Sequence, residues 1–361
     1  MNSSDKIDYT SYEAAVERSK KIEADLPLHP GNYRLLTGDR PTGRLHIGHY
    51  FGSLQNRVEL FKMGVPTYIL IADYQVLTDH DAYDQISENT KQLVIDYIAA
   101  GLDPESETLC IFPHSYIPEL NQLLLPFLTL VSNSELDRNP TVKEEILASG
   151  KKSINAGMYI YPVHQAADIL AVKGNVVPVG KDQLPHLELT RTIARRFNEK
   201  YISDEPVFPE AQALLSKTPS ILGLDGAQKM SKSRNNYISL SATEDETETL
   251  IKKAKTDAER RITYDPENRP EVANLLLLLS LTSGEKPEVL AEKIGDGGGG
   301  ALKKMLADSM NEFFRPMRTR RAELEKDPDY IDSVLFRGID RARAEAGNTL
   351  DQVRRAMNME I

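Results

Sequence analysis

The fold can be read outward from Thr37-Gly38-Asp39-Arg40-Pro41-Thr42-Gly43-Arg44-Leu45-His46-Ile47-Gly48-His49. This stretch continues an apolar strand candidate, Tyr33–Thr37, and its Gly and Pro residues predict a tight loop with a helix opening near His46. A helix N-terminus presents unpaired N–H groups and the positive end of its dipole, both of which favour an anion. His46 and His49 lie three residues apart and so face the same way from the first turn. Gly48 carries no side chain and leaves room for a flat ring or a ribose against the backbone. The stretch reads as a platform for phosphate and adenine with two imidazole donors.

Beyond it, the chain alternates strand and helix signals. Further strand candidates are Thr67–Ala72, Thr108–Phe112 and Asn175–Val179, separated by segments of helical period such as Asp84–Ala100 and Pro118–Val131. This rhythm predicts an α/β fold with a doubly wound parallel sheet, a Rossmann-like nucleotide-binding domain. Such sheets bind ligands beyond the carboxyl ends of their strands, which directs attention to the loops after Thr37, Ala72 and Val179. After about Gly226 the text reads as a C-terminal helical domain, with helices expected over Glu244–Lys255, Glu271–Leu281, Pro287–Ile294, Ala301–Arg315 and Tyr330–Met357. The four glycines after Asp296 read as a flexible turn, since no strand precedes them and no Lys-Ser/Thr follows. The expected division is an N-terminal extension over 1–32, a nucleotide-binding domain over 33–226 and, over 227–361, a lysine-bearing loop and a helical domain, whose last helix is expected to pack back on the nucleotide-binding domain. The extension itself predicts an amphipathic helix over Tyr12–Ala24, broken at Pro27, Pro30 and Gly31.

Composition narrows the class. The 361 residues are 40% hydrophobic and 27% charged, ordinary for a globular protein. The longest aliphatic run, Leu275–Leu279, falls far short of the roughly 20 apolar residues of a membrane span, so no membrane association is expected. The polar N-terminus lacks a signal-peptide core. A single cysteine, Cys110, excludes an internal disulfide, a multi-cysteine zinc site and an iron–sulfur cluster; a cytoplasmic location follows as the expectation. The net charge of −10 argues against a general nucleic-acid coat. The charge is uneven: residues 1–226 hold 21 Lys+Arg against 30 Asp+Glu, residues 227–361 hold 23 against 24. Selective binding of one polyanion by the helical part remains open. Arg315, Arg318, Arg320 and Arg321 are its densest basic cluster, either phosphate contacts or solvated helix-end charges.

A second cationic element lies about 180 residues downstream of the histidines: Lys229-Met230-Ser231-Lys232-Ser233. Two lysines three apart, among small polar residues, suit a loop that closes on a triphosphate and neutralises charge as pyrophosphate departs. Taken with His46-Ile47-Gly48-His49, the chain resembles a class I aminoacyl-tRNA synthetase, carrying both signature motifs as HIGH and KMSKS. Three further stretches, Tyr159–Leu170, Val177–Arg191 and Arg261–Pro266, are similar to tryptophanyl-tRNA synthetases, and the likeness runs from about Tyr33 to the C-terminus.

The resemblance implies a two-step reaction: L-tryptophan and ATP, carrying Mg2+, form tryptophanyl-adenylate and pyrophosphate, and the acyl group then passes to tRNA(Trp). It places Arg40, Pro41, Thr42, Gly48, His49, Gly180, Lys181 and Asp182 at the ATP site. His46, His49, Lys229 and Lys232 are the catalytic group. Lys229, Met230, Ser231, Lys232 and Ser233 close over the phosphates, and Ile221 offers backbone to adenine. Asp168 accepts the indole N–H, and Tyr161 and Gln183 hold the α-amino end, with Gln165 and Gln75 also in the amino-acid pocket. A homodimer is expected. The chain departs from the family's commoner residues at Gln165 (more often Met), Arg40 (Gln) and Gln75 (His), and the last two suggest an auxiliary synthetase of altered inhibitor sensitivity. The spacing Tyr161-x-x-x-Gln165-x-x-Asp168 is also similar to the pocket of tyrosyl-tRNA synthetases, so tyrosine is the rival substrate, and a non-catalytic binding paralogue is the rival class.

Overall fold

The computed structural model describes residues 9–79, 83–149, 155–202, 204–215 and 221–360. Its centre is a parallel sheet. Strands β1 (Leu35–Asp39), β2 (Thr67–Ile71), β3 (Leu109–Pro113), β4 (Val176–Val179) and β5 (Gln212–Leu215) lie in the order β3-β2-β1-β4-β5. β2 and β3 are buried at every position, as strands covered on both faces must be. Strand β5 has no counterpart among the expected strands: Gln212-Ala213-Leu214-Leu215 is four residues long with no β-branched or aromatic member. The strand order reverses between β1 and β4, opening a crevice at their carboxyl ends.

The helices follow in chain order as α1 (Tyr9–Asp25), α2 (Ile47–His49), α3 (Gln55–Lys62), α4 (Val76–Asp79), α5 (Ile86–Ala99), α6 (Pro118–Leu128), α7 (Asn133–Asp137) and α8 (Pro140–Ser149). After these come α9 (Ala156–Ala171), α10 (Leu184–Tyr201), α11 (Glu244–Lys253), α12 (Pro270–Ser283), α13 (Pro287–Ile294), α14 (Gly298–Leu324) and α15 (Pro328–Ala356). Side chains of β2 divide by alternation. Ile69 and Ile71 join α3, α5 and the helical part through α12 and α14. Tyr68 and Leu70 join α6, α9, α10 and the later part of α15. The last helix thus returns to the sheet. Helix α1 lies against β5, where Ser19 Oγ accepts the Leu215 main-chain N–H at 2.9 Å.

Two expectations for the helical part need correction. The glycine run is not a loop throughout, because Gly298–Gly300 form the first turn of α14. Burial of Leu302, Leu306, Met310 and Phe314 along that helix overrides the poor helix propensity of glycine. Helix α14 also continues past Arg315 to Leu324, and three of the four arginines on it are engaged by the protein itself. Arg315 pairs with Glu244 and Glu312, Arg318 bonds Asn311 and Thr247, and Arg321 is buried against Asp96.

Helix α15 approaches β3 most closely at Gly338. A Cβ there would lie 1.8 Å from the Ile111 carbonyl oxygen, and the Cys110 thiol donates to the Gly338 carbonyl at 3.2 Å. Neither backbone can yield without parting helix from strand. Gly338→Ala is therefore expected to destabilise the fold by about 3 kcal/mol, read by urea unfolding, while Gly347→Ala on the same helix, with open space at its Cβ, leaves stability within about 0.5 kcal/mol or raises it.

Candidate active site

The loop after β1 reaches the sheet's crevice and turns back into a short helix. His46 is its N-cap, with extended backbone, and its main-chain N–H donates to His49 Nδ1 at 3.2 Å. An accepting Nδ1 places the His49 proton on Nε2. The two rings lie 3.6 Å apart, centroid to centroid. Burial pushes His46 down to about 3, helped by His49 and the two motif lysines. Burial likewise takes His49 to about 4, with Lys232 and Arg57 adding to the effect and Asp39 opposing it. Both imidazoles are neutral at physiological pH, so they offer N–H dipoles and no added charge.

The lysine loop closes over these residues. Its position is set by backbone pairing: Met230 N–H bonds Ile221 O at 3.1 Å, Ile47 N–H bonds Ile238 O at 3.0 Å and Leu240 N–H bonds Leu45 O at 2.9 Å. Met230 is buried, and a Cβ on Gly48 would lie 3.0 Å from the His46 ring and 3.3 Å from the Met230 Cβ, a tight fit that favours glycine. Lys232 Nζ donates to the Thr42 carbonyl at 3.0 Å; burial lowers its affinity for the proton, while Asp39 and Asp96 work to keep it charged. Lys229 is exposed, and Ser231 and Ser233 bond each other at 2.9 Å.

One cavity of about 380 Å³ runs beneath this closure. Its lining includes Arg40, Thr42, His49 and Lys232 from the segments expected to bind phosphate, and Gln75, Tyr161, Gln165, Asp168 and Gln183 from the expected amino-acid pocket. Pro41, His46, Gly48, Gly180, Lys181, Asp182, Ile221, Lys229, Met230, Ser231 and Ser233 do not line it. Ile221 instead backs the lysine loop, and Gly180, Lys181 and Asp182 form an exposed turn in which Lys181 Nζ sits 4.8 Å from the Tyr12 ring centre.

Asp168 stands mid-helix on α9 and is 2% exposed. His114 Nε2 accepts the Tyr74 main-chain N–H at 2.9 Å, so Nδ1 carries a proton and donates it to Asp168 Oδ1 at 3.2 Å. Burial opposes a charge on His114, but Asp168 and Asp73 outweigh it and raise its pKa. His164 Nδ1 faces the other carboxylate oxygen at 3.9 Å. The three donors His114, His164 and Asp168 cluster closely enough to suggest a metal, yet a protonated His114 Nδ1 has no lone pair to give one. On the opposite wall, Asn139 Oδ1 accepts the Thr141 and Val142 N–H groups, which turns its amide nitrogen toward His186 Nδ1 at 3.2 Å. His186 therefore carries its proton on Nε2, 2.9 Å from the Tyr161 hydroxyl.

Sequence reasoning missed the Asp39–Arg57–Tyr97 group under the first loop. Arg57 bonds both Asp39 oxygens and Tyr97 OH donates to Oδ2 at 2.7 Å. Burial opposes the Asp39 charge, but Arg57 and Tyr97 outweigh it and hold the carboxyl at about 2. His114 and His186 were missed too: both are isolated in the text, and only the fold brings them to Asp168 and Tyr161.

Residues 29–315 match the family model of class I tRNA synthetases (W and Y). A tryptophan–tRNA ligase of Thermotoga maritima is 42% identical over 332 residues, covering 90% of this chain and 99% of the relative. The chain belongs to this family. Among solved structures, the tryptophanyl-tRNA synthetase of Campylobacter jejuni complexed with ADP and tryptophan is 28% identical with a TM-score of 0.78, over 90% of this chain and 99% of that one. A tyrosyl-tRNA synthetase of Archaeoglobus fulgidus, at 23% identity and a TM-score of 0.62 over 80% of this chain and 90% of that one, shares the fold.

The neutral histidines of this synthetase carry a pH signature. Their folded pKa values lie below the 6.5 of an unhindered imidazole, so the unfolded chain binds more protons between about pH 4 and 6.5. Their contribution to stability is complete above pH 6.5 and is lost as pH falls toward 4. Urea unfolding at a series of pH values is expected to show this decline, with a shallower slope in His49→Asn.

Proposed function

We propose that the cavity binds ATP and L-tryptophan end to end, and that the chain acts as a tryptophan–tRNA ligase with the residue roles below. A carboxylate oxygen of tryptophan attacks the α-phosphorus of ATP, the bond to the bridging oxygen breaks, and pyrophosphate leaves with its magnesium. The acyl group then passes from the adenylate to a hydroxyl of the terminal ribose of tRNA(Trp). The protein's part is positioning and charge stabilisation. His49 Nε2–H and Lys232 meet the phosphates at the α–β junction; His46 backs His49; Lys229 and the serines of its loop reach the outer phosphates. Adenine is assigned to the cavity beside Thr42 and His49, because Gly48 packs under Met230, Ile221 backs the lysine loop, and neither lines the cavity. Magnesium arrives on ATP, as Asp39 is engaged by Arg57 and Tyr97.

The observation that carries this reading is the single cavity that joins the Lys232–Thr42 closure to Asp168. Leu36, Leu70, Ala72, Ile169 and Val177 give it apolar walls, and a flat aromatic ring between them would end at a carboxylate oriented by His114. That oxygen demands a donor, the indole N–H. A phenol also donates, and tyrosine remains the competing substrate. Residues 1–32, 33–226 and 227–361 serve in this reading as extension, catalytic domain and tRNA-binding helical domain. A homodimer would cover exposed Tyr116 and Leu125. A cytoplasmic location belongs to the same reading.

The decisive assay is ATP–pyrophosphate exchange run in parallel with tryptophan and tyrosine, with exchange expected only for tryptophan. The chain contains no tryptophan, so excitation beyond the absorption of its tyrosines reports the bound amino acid alone. Asp168→Ala is expected to raise the KM for tryptophan by about 100-fold, consistent with loss of a charged hydrogen bond, with little change in the KM for ATP. Lys232→Ala is expected to lower kcat by about 100-fold while tryptophan binding stays intact.

A further inference from the structure

An ion pair buried as deeply as any among the described residues lies outside the cavity. Asp96 on α5 is fully buried among Leu93, Val94, Ile95, Tyr97 and Ile98, and Arg321 on α14 is 3% exposed. Their contact joins the sheet's flanking helix to the helical part of the chain across 225 residues. A carboxylate in such surroundings is costly, and its two oxygens divide between two partners. Oδ1 takes the Arg321 guanidinium; Oδ2 takes the Leu45 main-chain N–H at 3.2 Å. Arg321 is itself steadied by Gln92 and by Glu325 at 3.1 Å.

Leu45 is the residue before His46, and its peptide is gripped from both sides. Its carbonyl accepts from Leu240 N–H, in the segment that leaves the lysine loop, and its N–H is held by Asp96. Without Asp96 fixed by Arg321, this buried N–H has to find another partner by shifting the loop, and the next residue is the N-cap that carries the imidazole pair. Asp96 also helps to hold the charge of Lys232. Apolar residues would fill the space between α5 and α14 as stably as an ion pair does. The geometry at Leu45 supplies a reason for the pair that packing does not.

We propose that Arg321 is a positioning residue for ATP: acting through Asp96, it fixes the Leu45 main chain and hence the His46–His49 pair. The proposal rests on the reading of that loop as the ATP site. It makes the seat of the helical part on the catalytic part a determinant of nucleotide affinity.

The test uses the full-length protein and three variants: Arg321→Lys, Asp96→Asn and the double replacement Asp96→Leu with Arg321→Met. The double variant is expected to melt within a few degrees of wild type, because an apolar pair replaces a buried ionic one. Its KM for ATP is expected to rise about tenfold, with the KM for tryptophan within about twofold, because the loop and not the amino-acid pocket is displaced. Arg321→Lys, which keeps a cation near Asp96, should recover most of the affinity. Asp96→Asn, of the same shape, tests the idea if the double variant fails to fold, with a KM for ATP raised about threefold. A folded double or Asp96→Asn variant with wild-type KM for ATP overturns the proposal, as does an equal loss in both KM values and kcat. Calorimetric titration with Mg-ATP measures the same affinity without turnover. If wild type binds Mg-ATP but supports no tryptophan-dependent exchange, the substrate reading fails while the lever is still tested; if it binds no Mg-ATP, both fail.

Discussion

Everything at the site depends on two cationic segments, far apart in the chain, being held against one another by main-chain hydrogen bonds. Residues 45–47 and 238–240 pair like the edges of a small sheet, with the histidine loop on one strand and the exit of the lysine loop on the other. Side chains then register the closure: Met230 fills the space over Gly48, and Lys232 reaches Thr42. A contact made by backbone groups is insensitive to which side chains occupy it, which leaves those side chains available to a ligand. It also means that neither segment can move without the other.

Charge in this region is arranged by neutralisation. Asp39 lies directly under the first loop, where a bare carboxylate would repel a triphosphate, and Arg57 with Tyr97 removes that repulsion. The imidazoles are kept uncharged by burial, so the positive field is carried by the lysines of the facing segment. Preorganised dipoles beside a fixed cation suit a reaction whose charge grows on a departing group. At the amino-acid end the polarity is the reverse, with donors from the protein fixing one carboxylate so that the ligand must supply the next hydrogen.

Much of this was legible in the text, for reasons that can be stated residue by residue. Local signals identified β1, its glycine turn and the lysine loop, because phosphate binding needs particular residue types at short spacing. Asp168 entered through the family resemblance, and its deep burial on an apolar helix agrees with a carboxylate that has a partner to hold. His114, His186 and Arg57 carry no local signal; each acquires its role from a partner 18 to 54 residues away. The arginines of α14 misled for the opposite reason. Their density suggests a surface patch, but helical periodicity turns Arg321 inward while Arg315 stays outside, and composition alone is blind to direction. The glycine run failed where tertiary packing outweighed propensity.

Helix α1 has a bearing on the sheet as a whole. Strand β5 is its outermost member on one side, and a bare strand edge is a template on which other chains can add. The amphipathic segment that precedes the matched region lies along that border, with Ser19 taking up a hydrogen-bond donor that would otherwise be offered to strangers. The leading stretch of the chain thus acts as a selvedge, finishing the woven edge so that it does not recruit further thread.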